Sequence, residues 1–185
     1  MSNLRAGRRR PATKLLPALL DERVINIKNT KKMKTFVIML SQTFLATHPK
    51  KGEETGFEKK FRNQKIHTIR DNYALWKERF EKIEAGEACL SVRKWEGEPY
   101  KSKQIELACL TCEDGISLQK LEFIQVGENG WNCSQVKIDD RLYDTALVAQ
   151  CDGLSRQDWL DWFLGNPKNK LHEPFAVINF TWKSY

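Results

Sequence analysis

From Lys34 onward the chain is a series of short apolar runs, each closed by glycine, proline, asparagine or aspartate. Few stretches keep the three- and four-residue spacing of a long amphipathic helix, and this texture fits strands better than helices. Strands are expected over 35–46, 66–70, 88–95, 104–111, 117–126, 131–138 and 175–182. The residues Gly127-Glu128-Asn129-Gly130 join two of these runs. Asn-Gly tolerates the positive φ of a tight loop, so a hairpin is expected there, and Asp114-Gly115 marks a second turn.

Two segments do carry helical spacing. Over 72–85, Trp76, Phe80 and Ile83 fall at i, i+4 and i+7, after Asp71 or Asn72 as N-cap and before Gly86. Over 155–165, Ser155 and Asp158 make a capping-box-like start, Trp159, Trp162 and Phe163 share a face, and Gly165 ends the run. Trp76, Phe80, Trp159 and Phe163 are expected to face inward. Many short strands with two clear helices point to an α+β, mainly β fold: a small β-barrel with two or more peripheral helices, closure hiding the sheet edges.

The net charge of +7 belongs to one end of the chain. Residues 1–34 hold ten of the 31 Lys/Arg and two of the 24 Asp/Glu, leaving 21 basic and 22 acidic residues for the rest of the chain. Residues 1–33, with two prolines and Arg8-Arg9-Arg10, read as a basic, poorly ordered extension with at most a short helix around 15–20. Met33 offers an alternative start. Residues 34–185 read as one near-neutral domain, the size at which a single core suffices.

No apolar run approaches the roughly 20 residues of a membrane-spanning helix, and no partner membrane is expected. Five cysteines, an odd number without a secretory leader, point to a reduced, cytoplasmic protein. P-loop, Gly-rich dinucleotide, HExxH and GxSxG motifs are all absent. Cys109-x-x-Cys112 has no matching second pair and His48, His67 and His172 lack ligand spacing, so buried core cysteines are expected, with no metal and no cofactor.

The segment 63–72, Asn-Gln-Lys-Ile-His-Thr-Ile-Arg-Asp-Asn, is the densest in chemistry. In a strand Ile66, Thr68 and Arg70 share one face and His67 and Ile69 the other, so Lys65 has the wrong parity to join Thr68. Lys65 reaches Thr68 only from a turn before the strand, which Asn63 with its tolerance of left-handed geometry would supply. A lysine desolvated there would activate the Thr68 hydroxyl. The plainer reading is a solvated Lys65, a strand-favouring Thr68 and an Arg70 paired with a carboxylate.

This segment, with Leu75-Trp76, the stretch 86–107 and Asp152-Gly153-Leu154-Ser155 before the late helix, resembles the ASCH domain family of the PUA-like superfamily over roughly 34–182. The family signature Gly-x-Lys-x-x-Thr-x-Arg is matched by Lys65, Thr68 and Arg70. Asn63 stands in the glycine's place, and Asp152 stands where some members have glutamate. The resemblance implies a PUA-like barrel with a cleft beside it for RNA or a nucleotide. A bacterial subgroup cleaves N4-acylated cytidines with a lysine, a threonine and a glutamate, which carries over to Lys65, Thr68 and Asp152.

The resemblance implies two functions. The preferred one is binding of RNA or a modified nucleoside, with Arg70, His67, Trp95 and Tyr100 as ligand-binding residues, an aromatic stacking a base. The alternative is an amidohydrolase in which Lys65 deprotonates Thr68 and Asp152 orients the lysine; a ribonuclease is a second alternative. Asp152 is one methylene shorter than glutamate, which weakens the hydrolase reading. The segment 47–63, with five Lys/Arg, is either a basic flap over the cleft or a solvated loop. Oligomeric state is left open by the sequence.

Overall fold

The computed structural model describes residues 33–185 apart from residue 129. The expected basic extension, with Arg8-Arg9-Arg10 and the short helix around 15–20, lies outside the described residues, as does Asn129. Lys32–Tyr185 form one compact unit.

The fold is α+β and mainly β, with eight strands in two sheets. The first sheet has the order β1-β3-β4, formed by β1 (Lys34–Met39), β3 (Ala88–Trp95) and β4 (Gln104–Leu110). β1 runs parallel to β3, and β3 antiparallel to β4. The second sheet, fully antiparallel, has the order β2-β8-β5-β6-β7: β2 (His67–Arg70), β8 (Phe175–Asn179), β5 (Ser117–Val126), β6 (Gly130–Ile138) and β7 (Arg141–Asp144). The strands do not join into a closed barrel among the described residues. Side chains of both sheets, Ile38, Leu90, Val92 and Leu110 from one and Leu121, Val136, Val177 and Ile178 from the other, meet in one hydrophobic cluster.

The helices are α1 (Phe57–Lys60), α2 (Tyr73–Glu84), α3 (Thr145–Cys151) and α4 (Arg156–Phe163). α2 starts where the Asn72 side chain accepts the Leu75 N–H at 3.1 Å, and Gly86 follows its end with φ +70°. α4 starts where Ser155 Oγ accepts the Asp158 N–H at 3.1 Å and donates to its carboxylate. Trp76, Phe80, Trp159 and Phe163 are all buried, as their spacing predicts. Each such side chain contributes roughly 1.5–3 kcal/mol by burial. None of the described helices is long and apolar enough to cross a membrane.

Three expectations are corrected. The run 35–46 is a strand only as far as Met39; beyond it the chain leaves the sheet so that Phe44 stacks on His48 at 4.3 Å and meets Trp162 edge-on. The cysteines are mostly not core residues: Cys89 is buried, but Cys109, Cys112 and Cys133 are exposed and Cys151 is half-buried. The reason at Cys109 is its place on β4, an edge strand. Segment 47–63 is not a freely solvated loop, for His48 and Phe57 are buried, Phe57 lies over the Lys65 ammonium, and Lys50 pairs with Asp158 at 2.9 Å, fastening the segment to α4.

Candidate functional site

The turn that delivers Lys65 is built by α1. The Arg62 N–H donates to Lys65 O at 2.9 Å and the Lys65 N–H to Lys60 O at 2.9 Å. The left-handed residue in this turn is Arg62, with φ +64°, and not Asn63. The next step is held from both sides, because the Ile66 N–H donates to Cys151 O and the Phe180 N–H to Ile66 O. Lys65 and Asp152 face each other as an antiparallel bridge. Gly153 (φ +77°) permits this approach: a Cβ there would stand 3.0 Å from Lys65 Cβ.

The Lys65 ammonium donates to the Asp152 carboxylate and, at 2.9 Å, to the Asp152 carbonyl. It also lies 4.0 Å from the centre of the Phe57 ring. Lys65 is 1% exposed and Asp152 4%. Burial pushes the Lys65 amine down, opposed by the charge of Asp152, and pushes the Asp152 carboxyl up, opposed by Lys65 and Arg70. Lys60 completes the corner, donating to Gly153 O at 2.7 Å and Thr55 O at 3.0 Å.

Thr68, 2% exposed, lies in β2 opposite Ile178. Arg70 is occupied with backbone, donating to Met39 O at 2.7 Å and Ile69 O at 2.9 Å, so it ties β2 to β1. His67, expected to contact ligand, is fully buried. Its Nδ1 lies 3.3 Å from the Tyr185 hydroxyl and its Nε2 has no partner. Burial, aided by the charge of Lys65, holds the imidazole well below the usual histidine range.

Trp95 and Tyr100 lie elsewhere, together. Their ring centres are 5.4 Å apart, and they line a cleft of about 510 Å³ with Met39, Leu40, Leu45 and Pro99. Gln42 and Thr43 line both this cleft and a smaller hollow of about 270 Å³ that reaches Phe57 and Lys59. A third hollow, of about 370 Å³, lies beside Gly153 and Lys60. None of Lys65, Thr68 and Asp152 lines these spaces. The structure thus joins Lys65 to Asp152 and Trp95 to Tyr100, and keeps the two pairs apart.

Sequence reasoning missed Phe57, Lys60 and the Met39 carbonyl. Phe57 and Phe61, four apart, were the visible signal of a helical turn with an inward face. Among the described residues no cluster of three or more His, Cys, Asp or Glu side chains could hold a metal ion. The chain matches no family model, no curated protein and no solved structure.

Proposed function

We propose that residues 34–185 are an ASCH-like domain whose two sheets correspond to an opened PUA-like barrel, and that the domain binds the base of a nucleoside or of single-stranded RNA in the Trp95–Tyr100 cleft. The observation that carries this reading is the aromatic pair at 5.4 Å on the wall of a cleft of about 510 Å³. The rings are tilted by 51° to each other, so a base stacks on one of them and meets the other at an angle, and stacking of this kind is worth about 1–3 kcal/mol per base. Glu98 is the one charged residue lining the cleft. The lining therefore favours a neutral ring over a phosphate, which would want Lys or Arg.

The test is titration of tryptophan fluorescence with cytidine, N4-acetylcytidine and an oligocytidine RNA over a salt series. A quench by the nucleosides that holds from low to high salt and disappears in Trp95→Ala is the expected result. RNA binding that weakens steeply with salt would move recognition to phosphate contacts outside the cleft. No quench by any of the three, or a quench unchanged in Trp95→Ala, overturns the proposal.

The amidohydrolase reading is supported by one observation, the buried contact of Lys65 with Asp152. In that reading Lys65 first passes a proton to Asp152 and, as neutral amine, takes the Thr68 proton as Thr68 attacks the acyl carbon. The acyl C–N4 bond breaks as that proton goes to the departing cytidine amine, and water then hydrolyses the acyl-threonine. The substrate would have to displace Phe57, which lines the nearer hollow and covers the ammonium. Release of cytidine from N4-acetylcytidine that is lost in Thr68→Ala and partly kept in Thr68→Ser is the result it requires.

A further inference from the structure

The first sheet carries, on the face turned away from Leu90 and Val92, a feature that the cleft and the Lys65 pair do not use. On β3, Cys89 and Ser91 occupy alternating positions, and Cys109 of β4 pairs with Ser91. Cys109 therefore lies diagonally across from Cys89 on the same face. The diagonal is short: Cys109 Sγ donates to Cys89 Sγ over 2.9 Å. A disulfide needs about 2.05 Å between sulfurs and about 3.5–4.5 Å between the Cβ atoms, so closing the bond takes side-chain rotation together with a local approach of β3 and β4 across the diagonal. The two thiols also differ in access. Cys89 is buried, with Thr35 Oγ1 of β1 at 3.7 Å, whereas Cys109 is exposed.

We propose that Cys89 and Cys109 are a redox modification site, a cross-strand dithiol that a small-molecule disulfide such as glutathione disulfide converts reversibly into a disulfide. Exposed Cys109, as thiolate, attacks one sulfur of the oxidant and expels the first small thiol, leaving a mixed disulfide. Buried Cys89 then attacks Cys109 Sγ, forming the protein disulfide and expelling the second. Two protein thiols are oxidised, one small disulfide is reduced, and the two protons leave on the released thiols. The hydrogen bond to Cys89, then partial burial and the nearby carboxylates Glu106 and Asp114 hold the Cys109 thiol up at about 11. Thr35 and the Arg93 guanidinium, itself beside Glu106 at 3.6 Å, complete the surroundings. Oxidation is therefore slow near neutrality and accelerates as pH rises.

The test incubates the full chain with glutathione disulfide at pH 8, blocks free thiols, and maps tryptic peptides without reduction. Residues 83–93 carry Cys89, and 104–120 carry both Cys109 and Cys112. The expected result is a disulfide joining these two peptides, reversed by dithiothreitol, kept in Cys112→Ser and lost in Cys109→Ser. In Cys89→Ser, Cys109 should stop at the glutathione adduct. A cross-link that survives in Cys109→Ser, a stable glutathione adduct at Cys109 of the unmodified chain, or free thiols at both positions after prolonged oxidation overturns the proposal.

Discussion

The Lys65–Asp152 corner and the Trp95–Tyr100 cleft are built on opposite terms. In the corner every strong donor is spent, with the ammonium held by the carboxylate, a carbonyl and an aromatic face, and almost no surface left to water. In the cleft the groups are weak in chemistry but free in space, two aromatic rings and several apolar side chains around a cavity. The Lys65 and Asp152 side chains line none of the hollows, although their neighbours Lys60 and Gly153 line one of about 370 Å³. Trp95 and Tyr100, by contrast, open directly onto a larger cleft but carry no catalytic chemistry. One side chain, Phe57, touches both the corner and the smaller hollow, and Met39 links Arg70 to the cleft.

The largest expected effect is on the corner. Lys65→Met leaves the Asp152 carboxylate buried without its partner and should cost about 3–5 kcal/mol of stability by urea unfolding. The double variant Lys65→Met/Asp152→Leu should recover most of that loss, because replacing both charges by apolar groups removes the orphan. A single variant as stable as the unmodified chain would break the comparison, since the corner would then be open to water after all.

The next effect falls on the cleft. Trp95→Ala should weaken nucleoside binding by about 1–3 kcal/mol, while the chain stays folded and the thermal transition stays cooperative. Equal losses of nucleoside affinity in Trp95→Ala and in Lys65→Arg would mean that cleft and corner form one site.

Only part of the corner was legible in the sequence. The plainer reading of the spacing, a solvated Lys65 and an Arg70 paired with a carboxylate, is overturned by a Lys65 that is 1% exposed and an Arg70 that donates to backbone carbonyls. Strand parity excluded Lys65 from the Thr68 face unless a turn preceded the strand, and a turn does precede it, with Arg62 in place of Asn63 as its left-handed residue. The caps at Asn72 and Ser155 were readable because a capping side chain acts within its own turn. What was not legible depends on long-range contacts. The run 35–46 looks like one strand, yet Met39 O is taken by Arg70, and Phe44 turns to His48 and to Trp162, a partner far along the chain. α3 escaped notice because its seven residues are too few for a clear period, and its start rests on the Asp144 side chain accepting the Ala146 N–H. The resemblance placed Asp152 opposite Lys65 but gave no sign that Phe57 would seal the pair.

A smaller effect is expected of pH, through His67 at the start of β2. Its folded pKa lies well below 6.5, so between that value and 6.5 the unfolded chain binds a proton that the folded chain does not. Stability therefore falls as pH drops below 6.5, by up to about 1.4 kcal/mol per pH unit from this group. His67→Asn should flatten that part of the stability profile measured by urea unfolding from pH 7 to pH 5. An unchanged slope would assign the acid sensitivity to other groups.

The smallest effect separates the two properties of the cleft's rim. Tyr100 is 90% exposed and sits at φ +64°, a backbone region that favours glycine. Tyr100→Gly therefore removes a ring that buries little and relieves the backbone, so stability should rise by roughly 0.5–1 kcal/mol. Nucleoside affinity should move the other way, by about 1 kcal/mol or more, because the base loses the exposed ring of the tilted pair. The opposite signs matter more than the sizes, since a residue kept only for folding would not be strained at so exposed a position. If Tyr100→Gly raises the thermal midpoint and leaves nucleoside affinity unchanged, the ring is not part of the binding wall, and the cleft reduces to Trp95 and its apolar neighbours.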